Sequence, residues 1–193
     1  MKFFRPCEVS PIDIKIGDKI NVDLGVLGIF PATIHRIEDD AEGAYLTLMF
    51  DDCIASHYMN EGGTNLGGYE VSDLCSWLKE VIFPKFPEEL RDKMLSLTLP
   101  TYGMIFGHDT WGERSLDSDD DNQFLLMKKR SNRVADIYGE ATSYWIRNAS
   151  LAIFDTKSFG GVTEAGTPSQ YPSTYYFGVR PVFIIKILRR EMI

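Results

Sequence analysis

The chain has 193 residues, 44% of them hydrophobic and 25% charged, with 20 basic side chains against 28 acidic ones for a net charge of −8. That length suits one domain over residues 1–193 with an ordinary buried core. The acidic balance disfavours nucleic acid and anionic lipid as partners, and no run approaches the ~18 consecutive apolar residues of a membrane helix.

The first residues, Met1 to Pro6, hold no apolar stretch long enough for a signal peptide, which implies synthesis in a reducing cytoplasm. Three widely spaced cysteines, Cys7, Cys53 and Cys75, imply no disulfide framework and read as small buried hydrophobes. Strands are expected at 15–21, 30–38 and 44–50. In the third, Ala44, Leu46, Leu48 and Phe50 alternate onto one face while Tyr45, Thr47 and Met49 take the other. The short acidic connection 39–43, ending in Gly43, predicts a hairpin between the second and third strands.

Two helices are expected next. Ser72 is placed to cap a helix starting at Asp73, and Leu74, Trp77, Leu78, Val81 and Ile82 then form one apolar stripe, with Pro84 ending it. A second helix starts at Pro87, with Glu88 and Glu89 complementing its positive end. Both should pack on a sheet and contribute core rather than chemistry.

An irregular stretch follows Pro100, with Trp111 among glycines and an acidic run at 117–121. A strand is expected at 123–127 and a basic turn at 128–133. The last third reads as strands at 144–147 and 151–154, a long turn-rich loop at 155–177, and a closing strand at 178–187. The pattern is α+β, with a mainly antiparallel sheet, two packed helices and long loops.

The aromatic residues of these irregular segments are the candidate binding site: Trp111, Phe159, Tyr171, Tyr175 and Tyr176. Stiff aromatics among Ser, Gly and Thr resemble recognition surfaces, suited to stacking on sugar rings or to a protein hot spot. No catalytic residue, metal ligand or cofactor is assigned. Asp117, Asp119 and Asp121 alternate like the start of a calcium loop, but its sixth and twelfth positions hold Asn122 and Lys128 instead of Gly and Glu. Cys53 and His57, behind Asp51 and Asp52, fall short of a four-ligand zinc pattern. They read as a core cysteine and a partly exposed histidine, while His35 and His108 are scattered. Lys128, Lys129, Arg130 and Arg133 read as a solvated turn, and Arg147 and Arg180 as structural forks onto carbonyls or a carboxylate.

Tyr144-Trp145-Ile146-Arg147-Asn148, followed after a variable loop by Gly178-Val179-Arg180-Pro181-Val182, resembles the closing signature of a domain family of unknown function found in phages and prophages of gut bacteria. Gly67-Gly68-Tyr69, Ser72-Asp73-Leu74, Trp77-Leu78, Phe86-Pro87-Glu88-Glu89-Leu90 and Phe124-Leu125-Leu126 fit the same family, so that the likeness runs over 15–187 as an ordered set of short motifs. The family is similar to C-type-lectin-like and formylglycine-generating-enzyme-like folds. The resemblance implies a scaffold displaying variable loops to a host surface or another virion protein.

Departures from those folds limit the chemistry. None of the tripeptides with which C-type lectins ligate calcium and sugar occurs here, and no cysteine follows Cys75, which removes the copper-binding pair of the formylglycine-generating enzymes. The reading adopted is a non-catalytic phage or prophage virion-associated binding or adhesion protein. It is assembled in the bacterial cytoplasm, is homo-oligomeric, and has a protein or glycan partner. The alternatives are an intracellular phage-encoded inhibitor of a host factor and an enzyme of unrecognised type.

Overall fold

The alternation at 44–50 forms a strand. In a computed structural model of the chain, which describes residues 14–107, 123–150 and 155–188, Ala44, Leu46, Leu48 and Phe50 all enter the main hydrophobic core and Met49 points into a second one. Thr47 is buried as well, so both faces of this strand are covered at Thr47 and Met49.

The strands in chain order are β1 Lys19–Asp23, β2 Ile29–Asp39, β3 Gly43–Phe50, β4 Ala55–His57, β5 Met94–Thr98, β6 Ala135–Ile137, β7 Glu140–Thr142, β8 Tyr144–Ala149, β9 Ser158–Val162, β10 Pro168–Pro172, β11 Phe177–Val179 and β12 Val182–Leu188. The α-helices are α1 Asp73–Trp77, α2 Glu88–Arg91 and α3 Tyr102–Phe106. One sheet has the order β1-β2-β3-β12-β5, the other β10-β9-β8-β11-β4, and β6 and β7 form a separate hairpin. All pairings are antiparallel except β8 with β11. The architecture is α+β and mainly antiparallel.

The hairpin of β2 and β3 has the expected acidic turn, where Asp40 Oδ1 accepts from the backbone N–H groups of Glu42 and Gly43 at 2.7 and 2.9 Å. At the first helix, Ser72 Oγ accepts from the Cys75 N–H at 3.1 Å, the cap its position predicts. The stripe is only partly kept. After Trp77 the helix widens into a π-helical turn over Leu78–Ile82, closed by the Phe83 N–H on the Leu78 carbonyl. A wider turn advances less angle per residue, so Leu74, Leu78 and Ile82 stay buried while Val81 rotates out to 44% exposure. Phe83–Lys85, with Pro84 inside it, is a final 3-10 turn. At the second helix Pro87 is the extended cap before Glu88, not the first helical residue.

Three segments differ more from expectation. The 123–127 stretch is not a strand: Leu125–Lys128 is a 3-10 turn, because Phe124 and Met127 are drawn into the second core while Leu125 faces solvent. The 155–177 segment is not a loop but carries the hairpin of β9 and β10, whose connection is closed by the Thr163 N–H on the Thr167 carbonyl at 2.8 Å. Small residues hid it from a periodicity reading, yet they are required, since a Cβ on Gly160 would meet the Ile146 side chain at 2.8 Å. The closing strand is two strands. Arg180 and Pro181 break it, leaving β11 in one sheet and β12 in the other. The expected strand at 151–154 lies outside the described residues.

The main core runs between the two sheets, joining Leu46, Leu48 and Phe183 of one to Trp145, Phe159 and Val179 of the other, with Leu74, Leu78 and Ile82 closing one side. Each large apolar side chain buried there contributes about 1.5–3 kcal/mol. Residues 144–148 and 178–182 are joined beside the second core, since Gly178 pairs with Tyr144 and its N–H donates to the Ser143 carbonyl at 2.9 Å.

Candidate aromatic binding surface

Trp145 is the floor of an aromatic array at the β4 edge of the second sheet. It is fully buried, and its indole Nε1 donates to the His57 carbonyl at 2.9 Å. Phe177 packs on it with ring centroids 5.1 Å apart, and Tyr171 meets Phe177 edge-on at 4.4 Å. Tyr175 then contacts both Tyr171 and Phe177, at 6.3 and 5.7 Å. On β4, His57 lies opposite Phe177 in the strand register. Its ring is covered by Trp77 at 4.8 Å and 32° and by Tyr176 at 6.1 Å and 24°, with Tyr58 beside it at 4.3 Å. Tyr58 and Tyr176 close the set edge-on at 5.9 Å.

Hydrogen bonds hold this array in place. The Ser173 carbonyl accepts from the N–H groups of both Met59 and Asn60, at 2.8 and 3.0 Å, tying the turn before Tyr175 to the chain after His57. His57 Nδ1 donates to the Tyr58 carbonyl at 2.7 Å, since a carbonyl can only accept. Asn65, fully buried, donates to the carbonyls of Ser150, Asp155 and Ser158 and fixes the base of the β9–β10 hairpin. The rim is acidic: Glu61 and Asp73 lie near Tyr58 and, after its partial burial, help to raise its phenol above the usual range.

Of the sequence candidates, Tyr175 and Tyr176 are exposed at 50% and 64%. Tyr171 is half-buried against the core. Phe159 is a correction: it is fully buried, because it points inward from β9 into the main core and reaches no surface. Trp111 lies outside the described residues, as do His108 and the 117–121 aspartates. His57, Tyr58 and Trp77 were not among the candidates. Trp77 sat in a core stripe, and only the tertiary fold brings it beside Tyr176.

Nothing in this array makes a nucleophile. Cys53 is buried in the second core, and burial, the largest cause, with Asp52 and Asp136 nearby, pushes its thiol up to about 12 despite the opposing Arg180. Its ring-bearing neighbour in sequence, His57, faces Trp77 instead. Among the described residues no group of three or more His, Cys, Asp or Glu is arranged to hold a metal ion. No helix there is long and apolar enough to cross a membrane. Of the basic turn, Arg130 and Arg133 donate to the carbonyls of Ala165 and Met127, both at 2.7 Å, and are structural.

No protein-family model, no curated protein and no solved structure matches this chain.

Proposed function

We propose that this chain is a non-catalytic binding protein that holds a protein partner on the surface around Tyr175 and Tyr176. The observation that carries the reading is the mutual packing of the rings. A sugar platform needs an open ring face, whereas the His57 ring packs against the rings of Tyr58, Trp77 and Tyr176. Rings locked against one another present a rigid apolar surface with polar hydroxyl tips, which loses little conformational entropy on binding and suits a protein hot spot. The acidic rim at Glu61 and Asp73 calls for basic residues at the edge of the partner.

The phage or prophage setting, the virion as destination, the homo-oligomer and the C-type-lectin-like identity of the scaffold belong to the same proposal. They rest on the motifs of the closing signature. The pairing of its two halves as neighbouring strands supports treating them as one unit.

The test is capture of partners from infected or lysogenic cells by the wild-type chain and by a Tyr175→Ala/Tyr176→Ala variant, with light scattering on each. A capsid or tail protein retained by the wild type and lost by the variant supports the proposal. Retention by both, or a glycan bound through the same two tyrosines, overturns it.

A further inference from the structure

A second constellation lies on β1 and β2, built from residues that the aromatic surface does not use. Lys19 and Thr33 are paired in the strand register, and His35 lies two residues on, at the bulge of β2 between Ile34 and Arg36, lining the same cleft. Asp51, just past β3, takes the Lys19 ammonium on Oδ2 at 2.6 Å and the Thr33 hydroxyl on Oδ1 at 2.5 Å. Arg180 enters from the break between β11 and β12. Together with the turn at Ser131 and Asn132 these residues line a cleft of about 390 Å³, large enough for a small molecule.

The charges in this cleft are not balanced. Arg180 is 3% exposed, and its bonds run from Nε to the Phe50 carbonyl and from Nη1 to the Asn132 carbonyl and the Tyr144 hydroxyl, at 2.8, 3.3 and 3.2 Å. These partners are all neutral, and among the described residues Nη2 has none, while Arg180 lines the cleft. A buried guanidinium without a carboxylate is costly. Among the described residues the one carboxylate lining the cleft, Asp51, is engaged by Lys19 and Thr33. Two cations therefore share a single anion, inside a chain whose net charge is −8. His35 adds a second unmet demand: it is 5% exposed, lines the same cleft, and its Nδ1 is buried with no hydrogen-bond partner. Burial, and after it Arg180, hold its pKa down at about 4, against the weaker opposing pull of Asp51, so the ring is neutral and adds no charge of its own.

We propose that this cleft binds a small ligand through an oxyanion, a carboxylate or a phosphate group, held by Arg180 and Lys19 with His35 beside it. The oxyanion supplies the missing counter-charge of Arg180. With a modest turn of the ring it also gives the His35 nitrogen the partner that the chain does not. A charge-assisted, partly desolvated contact of this kind is among the stronger ones available to a protein. The site is separate from the aromatic surface, so neither result bears on the other.

The experiment follows the ring resonances of His35 by proton–carbon NMR while inorganic phosphate and, separately, acetate are added at constant ionic strength. The expected result is a saturable shift of His35, with His57 unmoved, for one or both ions, and the arm that saturates tells phosphate from carboxylate. Lys19→Gln, a change at a largely exposed side chain, weakens that binding about threefold, and Arg180→Lys weakens it by about tenfold through loss of the planar fork. Shifts that grow linearly, that sodium chloride reproduces, or that both variants leave unchanged overturn the proposal.

Discussion

Arg180 donates through Nε to the carbonyl of Phe50 at 2.8 Å, and so ties the break in the closing strands to the end of β3. One guanidinium thereby connects both sheets: its Nη1 reaches the Tyr144 hydroxyl, 3.2 Å away at the start of β8, and its carbon lies over the same ring at 5.3 Å. Arg180 is a structural fork onto carbonyls and a hydroxyl, as expected for a charge inside apolar strands.

Arg180→Ala should therefore lower stability by about 2–4 kcal/mol, because a buried carbonyl, a part-buried one and a buried hydroxyl lose their donor. Urea denaturation measures this directly. A loss below about 1 kcal/mol would show that the fork is not holding the sheets together.

Gly178 sits where a Cβ would press into the Cys53 sulfur and meet Thr142 Cγ2 at 3.0 Å. Gly178→Ala should cost about 2 kcal/mol by overpacking. Cys53→Ala removes the obstructing sulfur, so the two changes together should be less damaging than their sum by about 1 kcal/mol. Additive losses in the double-mutant cycle would mean that the clash is elsewhere.

His35 makes stability depend on pH with a definite sign. Its folded pKa is about 4, below the unfolded 6.5, so the unfolded chain binds the extra proton. The stability associated with the neutral ring is fully present above pH 6.5 and is lost as pH falls from there towards 4. Between pH 7.5 and pH 5 the loss comes to about 2 kcal/mol. Wild type and His35→Gln should diverge by that amount over this interval in denaturant titrations, and parallel curves would refute the assignment.

Tyr175→Ala and Tyr176→Ala should each change stability by less than about 0.5 kcal/mol, since both rings are largely exposed. Phe159→Ala should cost about 3–5 kcal/mol through the cavity it leaves in the core. Thermal melts of the three variants separate surface from core, and the opposite ranking would reverse the placement of these residues.

Where local chemistry was sufficient, the sequence by itself determined the outcome. The Asp40 turn and the Ser72 cap follow from side chains that bond their own neighbouring backbone. The two-residue alternation of β3 follows from Ala44, Leu46, Leu48 and Phe50 sharing the face turned to the main core, and the class, α+β with antiparallel pairing, follows from the order of these elements. Tertiary contacts decided the rest. Phe124 and Met127 read as part of a strand until a second core draws them into a 3-10 turn. The β9–β10 hairpin was hidden because its glycines are selected by close neighbours, Ile146 at Gly160 and Tyr171 at Gly161, and not by any period. Val81 left its stripe because the helix widens.

The binding surface divides the same way. Tyr175 and Tyr176 were visible as aromatics in a polar segment, and Phe159 in the same segment was indistinguishable from them, because exposure depends on which way a strand faces its sheet. His57 and Trp77 joined Tyr176 only through the pairing of β4 with β11 and the packing of α1. The anion cleft draws on residues spread from Lys19 to Arg180. A neutral histidine and an arginine without a carboxylate acquire meaning only when burial removes water from around them, and burial is a property of the whole fold.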